Sequence, residues 1–396
     1  MVMANYILND IPENWTNLLP FTFTRPISDL RVGILTLKDK WELLLEEACS
    51  VITEEYLSEK YSCKLSDENV LINSVIIPTS AIVEQIKQLE SGQILKNDNE
   101  WVAICTKDVE SFDQEEFGEY EVVACDSQLD FIKYPWHIFQ KNSQQIEADF
   151  ALITKGKKSQ ELSSTNQLIG DYPVFIAPNA NIECATLNTT KGPIFIGEDA
   201  VVMEGSLIQG PFAICEHSQL KLGAKIYPGT TIGPHCKVGG EINNAVFWGY
   251  SSKAHDGFLG NSVIGEWCNI GADSNNSNLK NNYENVKIWN YGSKSFIDSE
   301  SQFCGLFMGD HSKCGINTMF NTGTVVGVSA NIFGAGFPRT IIPSFAWGGA
   351  NGITTYRIDK AFRTMELVMS RRNLLLSDMD KKILTHIFDQ TKEFRH

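Results

Sequence analysis

Nowhere does this 396-residue sequence carry the 18 or more consecutive apolar residues that a membrane-spanning helix requires. Its start, "MVMANYILNDIPENW", lacks the basic and apolar regions of a secretory signal, so the expected location is the cytoplasm. Positive charge is scarce as well: 33 Lys and Arg stand against 48 Asp and Glu, a formal net charge of -15. That balance argues against nucleic acid or an anionic membrane as a partner and leaves room for no more than a local basic pocket. Ten cysteines are present, yet no pair is spaced C-x-x-C and none joins histidines at zinc-finger spacing. Buried free thiols are expected in place of disulfides or a structural metal.

What the sequence does contain is a period. From Ile196 an apolar residue recurs every six positions: Ile196, Val202, Ile208, Ile214, Leu220, Ile226, Ile232 and Val238. Four places after each comes a mostly small residue, as at Ala200, Ser206, Ser218, Ala224, Thr230 and Cys236. Ile176 and Ile182 begin the ladder earlier, with Ala180 and Thr186 as partners. Six fits neither the 3.6 of a helix nor the 2 of a strand. It does fit a left-handed parallel β-helix of hexapeptide repeats, three to a triangular coil of about 18 residues, with the apolar residue pointing inward.

After Val238 the phase slips by two, and Val246, Ser252, Phe258, Ile264 and Ile270 continue the series. In that register His255 lies midway between inward positions and projects from the wall. A second interruption, "SNNSNLKNNYENVKIWNYGSK", precedes Met308, Cys314, Phe320, Val326 and Ile332. The β-helix is assigned to 173–350, roughly nine coils at that repeat length. Before it, residues 1–153 alternate strand-like runs ("NYILND", "ENVLINSVIIP") with helical ones ("ILTLKDKWELLLEEA", "TSAIVEQIKQLESG"), which predicts an α/β domain of reduced Rossmann-like type. The polar stretch 154–172 is read as a linker. Beyond the coils, 351–396 has helical spacing, broken at Ser377 and Asp378 by a stop and a new N-cap.

Chemistry is expected where the coils are interrupted. The first interruption offers Lys253, His255 and Asp256; the second offers Asn275, Asn276, Asn278, Asn281 and Asn282 with Lys280, Tyr283 and Lys287. Amides and lysines suit the hydroxyls and phosphates of a sugar nucleotide, and a histidine suits proton removal from a nucleophile. The same residues could equally hydrogen-bond to their own turns.

The segment "KAHDGFLGNSVIGEWCNIGADSNNSN" resembles the acetyltransferase half of the bacterial bifunctional N-acetylglucosamine-1-phosphate uridylyltransferase/glucosamine-1-phosphate acetyltransferases. That family carries a catalytic histidine shortly before an aromatic-x-Gly, then "NIGAG" and a polar loop ending in "CNYDG". The resemblance implies His255 as general base and Phe258 in place of a sugar-contacting tyrosine. It also implies Asn269 and Ala272 from "NIGAD", with Asn278 on the loop asparagine. Lys253 and Tyr283 join them as substrate-binding residues. Acetyl-CoA is expected along the outer wall near Lys294, Lys313 and Ala335, in a homotrimer with sites between subunits. Two positions depart from the pattern: "EIN" has Asn243 where the family has lysine, and "SNLKN" replaces "CNYDG". Backbone amides near Gly271 are the expected oxyanion donors.

The stretch "LLPFTFTRPISDLRVGILTLKDKWE" resembles the start of a Bacteroidetes-type group of sugar nucleotidyltransferases fused to a hexapeptide domain. By that resemblance Arg25, Arg31 and Lys40 would orient a nucleoside triphosphate, with Mg2+ as its companion. "LNDIPENWTNLLPFTF", however, holds no glycine to let backbone amides approach phosphates. At the end of the "VLINSVIIP" strand, Asn73 and Ser74 stand where Gly-Asp would hold the metal. Three functions stay open: an acetyltransferase on an amino sugar phosphate or nucleotide amino sugar, an active sugar-1-phosphate nucleotidyltransferase, and a non-catalytic nucleotide-sugar-binding trimeric scaffold.

Overall fold

The computed structural model describes residues 5–97, 100–109, 118 and 120–395. It divides into two compact units. The first takes the chain up to Leu18, then Thr24–Leu30 and Leu35–Tyr134; the second takes Leu19–Phe23, Arg31–Ile34 and everything from Pro135.

In the first unit, β1 (Asn5–Asn9), β2 (Cys49–Ile52), β3 (Asn69–Asn73), β4 (Gln93–Lys96), β5 (Trp101–Thr106) and β6 (Glu121–Ala124) form one sheet in the order β2-β1-β3-β5-β4-β6. β1 lies parallel to both β2 and β3, while β5 runs antiparallel to β3. Both strand-like runs of the sequence are therefore strands, and β3 is central and buried at every position. The helices are α1 (Pro12–Asn17), α2 (Leu37–Leu45), α3 (Glu55–Ser58) and α4 (Ser80–Ile86). α2 begins in a capping box in which Thr36 accepts from Asp39 N and Asp39 accepts from Thr36 N.

The second unit is a parallel β-solenoid of about ten turns. The six-residue period becomes three inward columns because each short strand pairs in register with the strand one coil on. One face stacks Ile176, Ile196, Ile214, Ile232, Phe247, Ile264, Met308, Val326 and Ile342. The next stacks Ile182, Val202, Leu220, Val238, Lys253, Ile270, Cys314 and Ile332. The third runs Leu187, Ile208, Ile226, Ile242 and Leu259, with Asn276 and Phe320 paired further along. At about 1.5 to 3 kcal/mol per buried aliphatic side chain, this single core needs no covalent support, and all ten cysteines are free.

Two expectations need correction. Past the slip the inward residues are Phe247, Lys253 and Leu259, one position later than the Val246, Ser252 and Phe258 of the repeat reading. The physical reason is that Glu241–Gly249 and Phe258–Glu266 each run as one nine-residue strand around a corner, which changes the count per side. The segment 154–172 is also more than a linker. Gln167–Ile169 pairs with Thr186–Asn188 as a strand of the first coil, and Gln160 N donates to Ile176 O.

The first face is covered on its outer side by α5 (Pro135–Thr154). Asn142 of α5 accepts from Gly33 N and donates to Gly229 O, both at 2.7 Å, while Asp149 accepts from Ile34 N at 2.7 Å. Phe21 packs on Trp248 and Phe307, and Phe139 on Phe307, which buries Val246 and Val263 although they point outward. At the far end come α6 (Ile358–Ser370) and α7 (Asp378–Gln390). Ser377 is the N-cap of α7, in a capping box with Asp380, as the sequence predicts. Phe388 of α7 stacks edge-on against Phe345 at 5.1 Å, and Arg395 reaches Ser344 O, closing the last coil.

Candidate active site

His255 is exposed, on the bend that follows the second face of the solenoid. Beneath it lies Lys253, an inward column residue only 1% exposed. The Lys253 ammonium donates to the carbonyl oxygens of His255 (2.9 Å) and Gly239 (3.1 Å). Burial lowers its pKa to about 8, against the opposing pull of Asp256, Cys314 and Asp273. An ammonium is costly inside a hydrocarbon column, and here it ties the histidine's backbone to the coil below. Lys253 thus holds the turn from within; its head does not reach the outer surface.

A second polar residue breaks the columns close by. Asn276 is 4% exposed and bonds Gly260 twice, accepting from its N (2.9 Å) and donating to its O (3.1 Å). Asn275 accepts from Phe258 N at 2.7 Å, and Asn278 donates to Asn261 Oδ1 at 2.8 Å. Phe258, half-buried, follows His255 by one strand start and lies against the position of Gly260, where any Cβ would strike the Phe258 ring and the Asn278 amide. Gly257 has φ +118°, and a side chain there would collide with Ser274 O. Both polar interruptions of the core therefore serve one patch: the His255 turn, Phe258 and the asparagines of the next coil.

The remaining sequence candidates are distributed more widely. Ala272 sits at the turn one coil on from His255, where Asp273 N donates to Asp256 O. Asn269 and Lys313 are register partners on the outer side of the second face; the Lys313 ammonium donates to His311 O, and burial lowers its pKa. Tyr283 is exposed in the insertion after the asparagines, and its carbonyl accepts from Gln302. Lys294 caps an antiparallel hairpin, Lys287–Asn290 with Ser295–Asp298, and is ion-paired with Glu393 at 2.8 Å. Ala335 lies in the exposed loop 333–337. The Gly271 N–H is donated to Cys314 O at 3.1 Å, so the ladder uses it and it is no oxyanion donor.

One feature escapes the repeat pattern altogether. At one corner His217, His235, Tyr250, Trp267 and His311 stack ring on ring, with centroids 4.8, 4.6, 4.2 and 6.3 Å apart. All five have positive φ, a conformation that costs an ordinary residue about 1–2 kcal/mol, and the stacking offsets that strain. Their signal in the sequence is position: each directly precedes the small residue of its hexapeptide. Arg372 donates to His235 O at 3.1 Å, and burial followed by the charge of His217 lowers the His235 pKa.

In the α/β unit, Arg25 and Lys40 are 7% and 2% exposed. Arg31 belongs to the other unit, where it donates to Ile34 O and lies 4.0 Å from Cys215 Sγ. Asn73 ends β3 as expected but spends its amide on Trp101 O. Asp10, the first residue after β1, is an acid that no sequence motif marks. Buried, it accepts from Ile27 N, and burial raises its pKa to about 7. Among the described residues no three His, Cys, Asp or Glu side chains converge as a metal site. The donors at these strand ends, an Asn73 amide already bonded and a buried Asp10, do not fit Mg2+.

Known proteins resemble parts of this chain. Residues 6–158 match the sequence family described as sugar nucleotidyl transferase. A bifunctional sugar-1-phosphate nucleotidylyltransferase/acetyltransferase of Sulfurisphaera tokodaii is 32% identical over 145 residues, 36% of this chain and 36% of the relative. The uncharacterized acetyltransferase YaiX of Escherichia coli (strain K12) is 25% identical over 182 residues, 45% of this chain and 76% of that protein. Among solved structures, the polySia specific acetyltransferase NeuO aligns over 53% of this chain and 99% of its own, with 15% identity and a TM-score of 0.27. The chain thus joins a sugar-nucleotidyltransferase-like α/β domain to a hexapeptide-repeat β-solenoid, and resembles bifunctional nucleotidylyltransferase/acetyltransferases at low identity and over about a third of their length.

Proposed function

We propose that the solenoid is an acetyl-CoA-dependent acetyltransferase acting on an amino sugar phosphate or a nucleotide amino sugar, working as a homotrimer in the cytoplasm. One observation carries this reading: the exposed His255 turn is fixed from inside the coil by a buried lysine and bordered by an asparagine-lined wall. A β-solenoid gains nothing in stability from a lysine in its core, so the cost is explained by positioning.

In the proposed reaction the acceptor amine attacks the thioester carbonyl, forming C–N as C–S breaks. His255 removes the amine proton and returns it to the departing thiolate, so that CoA leaves as the thiol. Phe258 and the side chains of Asn269, Asn278 and Tyr283 are proposed to contact the acceptor. Ala272, Lys294, Lys313 and Ala335 are proposed to line the donor's path. The test is thiol release from acetyl-CoA against a panel of amino-sugar phosphates and nucleotide amino sugars. His255→Ala should lower kcat at least about 100-fold, the lower range for a general base; an unchanged rate would sink the assignment.

The family match over residues 6–158 favours a second activity, sugar-1-phosphate nucleotidyl transfer. Arg25, Arg31 and Lys40 are proposed to act on the triphosphate; Arg25 and Lys40 are buried, so the domain would have to open for them to reach it. Pyrophosphate release with a sugar phosphate and any of the four nucleoside triphosphates would support it. Silence across all four would leave this domain a binding module.

A further inference from the structure

The last coil carries a cavity that neither the His255 patch nor the α/β domain uses. It has a volume of about 450 Å³ and is lined by Trp347, Tyr356, Arg357, Lys360, Arg363 and Leu367, among others. That size accommodates a ligand of a few hundred daltons. We propose that this cavity binds a nucleotide, its base against Trp347 and its phosphates on Lys360 and Arg363.

The aromatic wall is built in place. Trp347 lies on the outward side of the last parallel strand, in register with Asn331, and is 39% exposed. Phe333 meets it edge-on at 5.2 Å, and Tyr356 lies 4.7 Å away at 43°. The Tyr356 hydroxyl is held by Thr364 Oγ1 at 2.8 Å, so the second ring is fixed by α6 itself. A base finds a flat apolar face here, and stacking tolerates any base.

The cationic wall comes from helical spacing. Lys360, Arg363, Thr364 and Leu367 fall on one side of α6, while Ala361, Met365 and Met369 are buried on another. Arg357 is held by Asp359 through two bonds of 3.0 and 2.9 Å. Lys360 and Arg363 are exposed and take part in no ion pair among the described residues. Three cations around one cavity, in a chain of net charge -15, are a local reversal of sign. Phosphate is the anion that arginine and lysine at this spacing serve. Nucleotide phosphates could come from the 3′-phosphorylated ADP portion of an acyl-CoA or from the diphosphate of a nucleotide sugar, and the pocket chemistry is common to both.

Isothermal titration calorimetry on the full chain separates these cases without depending on acetyl transfer. Adenosine 3′,5′-bisphosphate, UDP, adenosine and inorganic phosphate are titrated in turn. At least one of the two nucleotides should bind once per chain at millimolar Kd or below, with adenosine and phosphate each at least tenfold weaker. Preference for the bisphosphate identifies the acyl donor as the source, and preference for UDP the nucleotide sugar. Trp347→Ala and the double change Lys360→Ala with Arg363→Ala should each weaken binding at least tenfold. The double change lies on an exposed helix face and leaves the fold intact. No nucleotide binding at millimolar concentration, phosphate alone binding as tightly, or wild-type affinity in both variants would overturn the proposal.

Discussion

Lys253 and Asp10 are charges in places that oppose charge, and their energetics can be read by pH. Below about pH 8 the Lys253 ammonium is charged in both folded and unfolded chains. Between about 8 and the ordinary 10.5 the folded state has lost the proton while the unfolded state keeps it, so stability from this group rises with pH. At 1.36 kcal/mol per unit the relief is about 3 kcal/mol. Lys253→Met lacks it, and the gap in unfolding free energy between wild type and variant should move by that amount in the wild type's favour from pH 8 to 10.5. Comparing the two proteins cancels the buried thiols, such as Cys236, raised to about 12, whose titration acts the opposite way. A pH-independent gap in denaturant titrations would show that the folded state leaves the Lys253 pKa at its ordinary value. For Asp10 the sign reverses. An acid raised from 3.8 to about 7 keeps its proton in the folded state while the unfolded chain loses it, so stability falls as pH rises from 4 to 7. Asp10→Asn should remove up to about 4 kcal/mol of that fall, measurable as a flatter stability curve over this range.

The corner strands set the register of the solenoid, and substitution can test that register. Phe247 is fully buried in the inward column, whereas Phe258, which the repeat count would put inside, faces outward and is half-buried. Phe247→Ala should cost about 3–5 kcal/mol, and Phe258→Ala markedly less while affecting the acceptor KM. A larger loss for Phe258→Ala than for Phe247→Ala in chemical denaturation would restore the count-based register. The periodic stretches were legible from sequence because one hydrophobic residue per side repeats without insertion from Ile196 to Val238. Where a strand turns a corner the count per side changes, and six-residue spacing cannot say by how much. Lys253 was consequently read as a surface ligand: its residue type suggested solvent, and only the pairing Val238 with Lys253 reveals that it points inward. His255 kept its outward place under either register.

On the scale of the whole molecule, an open solenoid must cover its terminal coil, because the last layer of side chains otherwise faces water. Here Phe388, Arg395 and the turn after α7 cover Phe345 and Ser344. Ending the chain at Thr355 removes both helices, and the shortened protein should associate or precipitate at concentrations where the full chain does not, as read by size-exclusion chromatography. An unchanged elution profile would show that the coil is self-sufficient.

The sequence by itself determined the two architectures, the unbroken six-residue period from Ile196 to Val238, the thiol state of the cysteines, the Ser377 cap and the outward His255. Each rests on short-range pattern, where neighbours along the chain are neighbours in space. Tertiary structure decided the rest: that Lys253 points inward, that the Gly271 amide is already bonded, that Asp10 is buried, that five rings stack along one corner, and that Trp347 and α6 enclose a cavity. Those facts depend on residues brought together from distant coils and elements, and no local period encodes them.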